Sequence, residues 1–132
     1  MQGLYFKLLR DLRSVGITVD FDLELKKYSK TYYGRYDPNK NKITLYVYQD
    51  KECTYKYSYE DLLMTLIHEA IHCMQWKDET FVRIKGIMHD TEFYKLYEEY
   101  SDRARAILLF KEVKTSDNIF KKIGFSNSPV YC

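Results

Sequence analysis

The five-residue stretch His68-Glu69-Ala70-Ile71-His72 contains the side chains best suited to chemistry in this chain. On an α-helix, residues four apart lie on the same face, so His68 and His72 can direct imidazole nitrogens at one metal ion. Glu69 then lies beside a water molecule next to the ion. In this H-E-x-x-H pattern two neutral imidazoles hold Zn²⁺ and the glutamate is the general base, which predicts zinc-assisted hydrolysis.

The segment around the motif, residues 59–76, is apolar nearly all the way round and predicts a buried helix. Ser58 followed by Asp61 is an N-terminal capping signature for that helix. Burying two imidazoles and a carboxylate is costly unless each has a partner. A metal ion is a partner for all three, and core histidines satisfied by hydrogen bonds are the alternative.

The third zinc ligand that we favour is His89, the last histidine of the chain, seventeen residues after His72. The polar stretch 77–85 and Gly86 allow the chain to turn back, and Asp90 or Thr91 can cap a following helix. Glu92 is the competing ligand, one turn along that helix, although a glutamate near a helix start is otherwise ordinary. If His89 is the ligand, we expect the three rings to lie within about 6 Å of one another.

Four runs of sequence together resemble the SprT-like metallopeptidase family, which includes the Spartan proteases that act on DNA–protein crosslinks. The likeness covers roughly residues 31 to 100, and the runs are Gly34-Arg35-Tyr36-Asp37, Ile43-Thr44-Leu45, the motif segment 62–72, and His89-Asp90-Thr91-Glu92-Phe93.

This resemblance implies that His68, His72 and His89 bind zinc, that Glu69 is the catalytic base and that Phe93 packs near the third ligand. Asp90 stands where the family usually has glycine, and the chain has no cysteine-rich zinc ribbon at its C-terminus. The likeness is therefore to the catalytic core of the family.

Length and composition predict one domain over residues 1–132, with a loose end from about residue 126. The chain is 45% hydrophobic and 30% charged. Its first ten residues carry charges too early for a secretory signal, and no apolar run reaches membrane-spanning length, which predicts a cytoplasmic protein without a membrane partner. Three cysteines without C-x-x-C spacing indicate neither a disulfide framework nor a second zinc site.

The pattern of apolar residues predicts an α+β fold of zincin-like type, in which a small antiparallel or mixed sheet packs on the motif helix. The predicted elements are a helix over 4–15 ended by Gly16, a half-buried strand over 17–23, an antiparallel hairpin of 31–36 and 43–48, a helix with an apolar stripe from Phe93 to Leu108, and a weak segment over 119–125. Residues 43–48 are the candidate edge strand for an extended substrate, with an interior strand as the alternative.

The function that these features favour is a zinc-dependent endopeptidase acting on a protein or peptide, with DNA-associated proteins as candidate substrates. The alternatives are another zincin that cuts a regulatory protein with Glu92 as third ligand, or a non-catalytic zinc-stabilised module that binds nucleic acid. Lysine and tyrosine alternate over residues 26–36 and 55–59, a composition that suits stacked bases and phosphates. A tyrosine-lined sheet face with solvated lysines explains the same residues, and the net charge of +2 is a weak electrostatic footprint.

Overall fold

The computed structural model describes residues 2–78 and 89–114. Its elements are α1 (Gln2–Ser14), β1 (Asp22–Lys26), β2 (Gly34–Asp37), β3 (Lys42–Tyr46), α2 (Tyr59–Lys77) and α3 (Thr91–Lys114). The described residues form three helices and one three-stranded mixed sheet, an α+β arrangement that confirms the coarse fold prediction. The predicted loose end and the segment over 119–125 lie outside the described residues.

The sheet has the strand order β1-β3-β2, with β1 parallel and β2 antiparallel to β3. The predicted antiparallel hairpin is confirmed, although both of its strands are shorter than predicted. The prediction of an edge strand over residues 43–48 was wrong, and the interior alternative is correct: β3, which overlaps these residues, is the central strand. Because β1 pairs with β3 along its whole length, the two edges of the sheet are β1 and β2.

The predicted strand over 17–23 begins later than expected. Ile17, Phe21 and Leu23 are buried and Thr18, Asp20 and Asp22 are exposed, so the predicted alternation of burial is present. The hydrogen-bonded ladder nevertheless starts only at Asp22, because its partner β3 starts at Lys42. Alternating burial shows only which face of the sheet a residue lies on. A hydrogen-bonded ladder also requires a paired residue on the neighbouring strand.

One face of the sheet packs on the helices. Leu23, Ile43 and Leu45 are buried on that face, and Arg35 and Glu24 lie on the other, where Glu24 pairs with Lys42. Helix α2 lies against β2 and β3, and both α1 and α3 pack on α2. This arrangement makes α2 the central helix of the fold, with side chains that pack against the sheet and against both other helices.

The C-terminal end of α1 and the apolar stripe of α3 follow the sequence prediction. Gly16 adopts φ +97°, and the N–H groups of Gly16 and Ile17 donate to the carbonyls of Arg13 and Leu12, a Schellman ending that favours glycine. On α3 the predicted stripe packs into the core: Phe93 and Ala104 are buried, with Leu96, Tyr97, Tyr100, Ile107 and Leu108 against them. None of the described helices is both long and apolar enough to cross a membrane.

Candidate metal centre

Helix α2 places His68, Glu69 and His72 on its third and fourth turns. The predicted helix over 59–76 is confirmed, and Ser58 caps it by accepting a hydrogen bond from the N–H of Asp61 at 3.1 Å. The rings of His68 and His72 lie 4.9 Å apart, as their four-residue spacing on a helix requires. The motif therefore lies on the central helix of the fold.

His89 reaches the same point from the start of α3. Asp90 caps this helix, because its side chain accepts from the N–H of Phe93 at 2.8 Å and its carbonyl from the N–H of Tyr94 at 3.1 Å. The cap fixes the direction in which the chain enters α3. The ring of His89, the residue before the cap, lies 4.9 Å from both His68 and His72.

The three imidazoles converge through their Nε2 atoms. Nε2 of His89 lies 3.1 Å from Nε2 of His72 and 3.1 Å from Nε2 of His68. One metal-ligating atom from each residue lies within 4.8 Å of the other two. With a metal–nitrogen distance of about 2.05 Å, a separation of 3.1 Å corresponds to an N–metal–N angle of about 100°, which suits tetrahedral coordination.

Hydrogen bonding alone satisfies this arrangement poorly. A neutral imidazole has one N–H and one lone pair, so a proton on Nε2 of His89 can serve only one of its two neighbours well. A cation at the centre accepts a lone pair from all three rings at once. The donor set, three imidazole nitrogens with Glu69 beside them, fits Zn²⁺ in a site that keeps a position open for water.

Burial keeps His68 and His72 of α2 in the neutral form, which is the form of imidazole that binds metals. Burial first, and then the charge of neighbouring rings, lowers the pKa of His68 and of His72 to about 4. Both imidazoles are therefore neutral near pH 7. About a third of the His68 side chain is accessible and His89 is exposed, so the cluster borders the solvent.

Glu69 is the buried carboxylate of the site, with only 9% of its surface exposed. Its Oε2 atom lies 3.9 Å from Nε2 of His68, within reach of a water molecule beside the three nitrogens. Burial raises the pKa of Glu69 to about 7, against the opposing effect of a hydrogen bond from the main-chain N–H of Tyr36. A carboxylate with a pKa near neutrality is well matched to proton transfer at neutral pH.

Aromatic rings support the histidines. Phe93, which is fully buried, lies within 4.8 Å of all three imidazoles between ring centroids and is stacked on His72. It packs beside the third histidine, as the resemblance implies. Tyr94 and Tyr97 border the cluster as well, at 6.2 Å from His89 and 5.9 Å from His68.

The structure brings together His68, His72, His89 and Glu69 and leaves Glu92 outside. Glu92 is exposed in the first turn of α3 and is not part of the group of convergent ligand atoms found among the described residues. Sequence reasoning did not predict that the main chain of Tyr36 influences the pKa of Glu69. No sequence signal reveals this influence, because it depends on how β2 lies against α2.

Comparisons of the chain with protein-family models, with curated proteins and with solved structures found no match. The functional argument therefore depends on the residues of the site themselves.

Proposed function

We propose that the protein is a zinc-dependent endopeptidase of SprT-like, zincin type that hydrolyses peptide bonds in a protein substrate. The observation that carries this proposal is the convergence of three Nε2 atoms, two pairs of them 3.1 Å apart, with the buried carboxylate of Glu69 at 3.9 Å. A closed structural zinc site would use a fourth Cys or His, whereas a carboxylate beside three histidines suits catalysis.

The residues of the site have distinct tasks in this proposal. His68, His72 and His89 would hold Zn²⁺, which when bound supplies a Lewis acid and lowers the pKa of a coordinated water. Glu69 takes a proton from the attacking water and later gives that proton to the departing amine. Phe93 holds the three rings in register and keeps water away from the protein side of the site.

Substitution of the base tests the proposal directly. The variant Glu69→Gln keeps the shape of the side chain but cannot accept the proton, so cleavage of an unfolded protein substrate should fall by about 10² to 10⁴. Zinc content, measured by atomic emission on the purified protein, should be unchanged. The matched control is Glu92→Gln, which alters an exposed glutamate near the site and should retain full activity. Cleavage that survives in Glu69→Gln would refute the mechanism.

Contact with single-stranded DNA stays a secondary proposal. Tyr32, Tyr33 and Tyr55 are 45%, 63% and 67% exposed, and the guanidinium of Arg35 lies 5.4 Å from the ring centroid of Tyr32. Exposed rings beside cations can stack bases and neutralise phosphates. A labelled oligonucleotide should gain fluorescence anisotropy on addition of the protein, and no change at physiological salt would contradict this proposal.

A further inference from the structure

Strand β2 approaches α2 at Gly34 more closely than a residue with a side chain would allow. A Cβ at this position would stand 2.7 Å from Cγ2 of Thr65 on α2. Atoms of β3 are close as well, at 2.9 Å for Cδ2 of Leu45 and 3.2 Å for the carbonyl oxygen of Thr44. Carbon atoms that are not bonded to each other pack at about 3.5 to 4.0 Å. The position of β2 against α2 therefore depends on the missing Cβ.

Thr65, the helix residue at this contact, lies one turn before the residues that carry the chemistry. It precedes His68 by three positions and Glu69 by four, and side chains at these spacings are neighbours on one face of a helix. The contact with Gly34 therefore brings the start of β2 against α2 directly beside the metal-binding motif.

The other end of β2 is linked to α2 one residue beyond the motif. The hydroxyl of Tyr36 donates to Oδ1 of Asn41 at 3.1 Å, and the thiol of Cys73 donates to the same oxygen at 3.7 Å. Asn41 in turn donates through Nδ2 to the carbonyl of Asp20 at 2.7 Å, which fixes the orientation of its amide. Strand β2 therefore runs alongside the whole H-E-x-x-H segment, from Thr65 to Cys73.

Two different elements border the motif face of α2. On one side, α3 brings His89 and Phe93 against the two motif histidines. On the other side, β2 lies against α2 at Thr65. Among the described residues β2 pairs with β3 alone, so its second edge is not covered by another strand. A peptide that reaches the convergent nitrogens therefore lies next to β2.

We propose, on the basis of the peptidase function above, that Gly34 is a positioning residue: its missing Cβ lets β2 pack close to α2 and so sets where a bound peptide lies relative to the convergent histidines. Gly34 supplies no reactive group itself. An alanine at this position would have to move Thr65 or β2 by roughly half an ångström or more to relieve the contact. Because reacting atoms must meet at about 3 to 3.5 Å, a displacement on this scale slows the chemical step.

A substitution and its compensating partner test the positioning role. Gly34→Ala should lower kcat for a peptide substrate about tenfold, with zinc affinity within about twofold of the parent, because the ligands lie on α2 and before α3. Adding Thr65→Ala to that variant removes Cγ2, the tip of Leu45 can rotate away, and kcat should return to within about twofold of the parent. Thr65→Ala alone should match the parent.

The matched control is Gly3→Ala, at a glycine of α1 whose Cβ position has nothing within 4 Å, and its kcat should be unchanged. An unchanged kcat in Gly34→Ala, measured well below its melting temperature, would overturn the proposal and leave Gly34 a packing residue only. A double variant that is no faster than Gly34→Ala would overturn it as well. A parent that cleaves no substrate would instead refute the peptidase function.

Thermal melting of the metal-free proteins tests the contact without using activity. Gly34→Ala should melt about 5 °C below the parent, and the added Thr65→Ala should recover most of that loss, because the crowded atom is gone. Equal melting of Gly34→Ala and the parent would contradict the close packing. If Gly34→Ala does not fold, Thr65→Ile adds bulk from the helix side and should lower kcat in the same way, and an unchanged kcat there would overturn the proposal.

Discussion

Two clusters of polar groups contact α2, and their polar atoms find partners in different ways. At the start of the helix, Asp11 of α1 is 1% exposed and accepts from the hydroxyl of Tyr59 at 2.5 Å and from Nζ of Lys111 at 2.6 Å. Further along, three imidazole nitrogens and the Glu69 carboxylate face one another. In the first cluster the carboxylate accepts hydrogen bonds from groups of the same chain. In the second, the lone pairs of the imidazole nitrogens face a common point, where a metal ion would accept them.

This difference separates a structural from a ligand-binding role. Burial alone would raise the pKa of Asp11, but the hydrogen bonds from Lys111 and Tyr59 outweigh it and hold that pKa below its usual value. For Glu69 burial prevails over the opposing influence of the Tyr36 main chain and raises its pKa to about 7. A carboxylate whose charged form is stabilised by hydrogen bonds from two helices contributes to their packing. A buried carboxylate whose charged form is less well stabilised accepts a proton more readily near neutral pH.

The largest expected effect is at the histidine cluster. The variant His89→Ala should weaken zinc binding by more than about a hundredfold and reduce peptidase activity in step, because a direct ligand matters more than the outer partners of a metal site. Glu92→Ala should retain both properties. Competition with a fluorescent zinc chelator measures the affinities, and loss of zinc only in Glu92→Ala would reverse the ligand assignment. The metal-free melting temperature of His89→Ala should match that of the metal-free parent, since His89 is exposed.

The opposite pattern is expected at the Asp11 cluster. The variant Asp11→Ala removes the acceptor that Lys111 and Tyr59 share and should lower the free energy of unfolding by about 2 kcal/mol, because hydrogen bonds to a charged group are lost. Zinc affinity should remain that of the parent, and so should activity well below the melting temperature. Urea unfolding followed by circular dichroism measures the loss. A fall in zinc affinity with no loss of stability would show that the two clusters are not separate.

A smaller effect, which depends on pH, distinguishes the two carboxylates. Because the pKa of Glu69 is raised in the folded protein, its ionised form destabilises the metal-free fold above pH 7, and this cost disappears as the pH falls from about 7 to 4.5. The metal-free variant Glu69→Gln should therefore be more stable than the metal-free parent at pH 8, by up to about 3 kcal/mol.

The advantage of Glu69→Gln should shrink toward zero near pH 4.5, because protonated Glu69 then resembles glutamine. His68 and His72, whose pKa values are lowered to about 4, make both proteins less stable as the pH falls below 6.5, so they cancel in the difference. Melting in EDTA across this pH range is the measurement. A difference independent of pH would contradict burial of a titrating Glu69.

Local pattern predicted the elements that carry the site. The helix over 59–76, its Ser58 cap, the Gly16 ending of α1 and the apolar stripe of α3 were predicted correctly, because caps, helical periodicity and glycine conformations are decided within a few residues. His89 was predicted to join His68 and His72, and the structure places the three rings together.

Strand placement was the weaker prediction. Residues 43–48 were considered for an edge strand, yet β3 lies between β1 and β2. Which strand is central depends on pairing with β1, which is parallel to β3 and distant in sequence, and hydrophobic alternation does not contain that information. The same limitation made β1 appear to begin near residue 17.

The amino-acid sequence by itself determined that His68, Glu69 and His72 share one region of a buried helix, since the 3.6-residue period is a property of the local backbone. Only the tertiary structure decided that His89 meets them. This contact joins segments separated by many residues, and its geometry is set by the packing of α3 on α2.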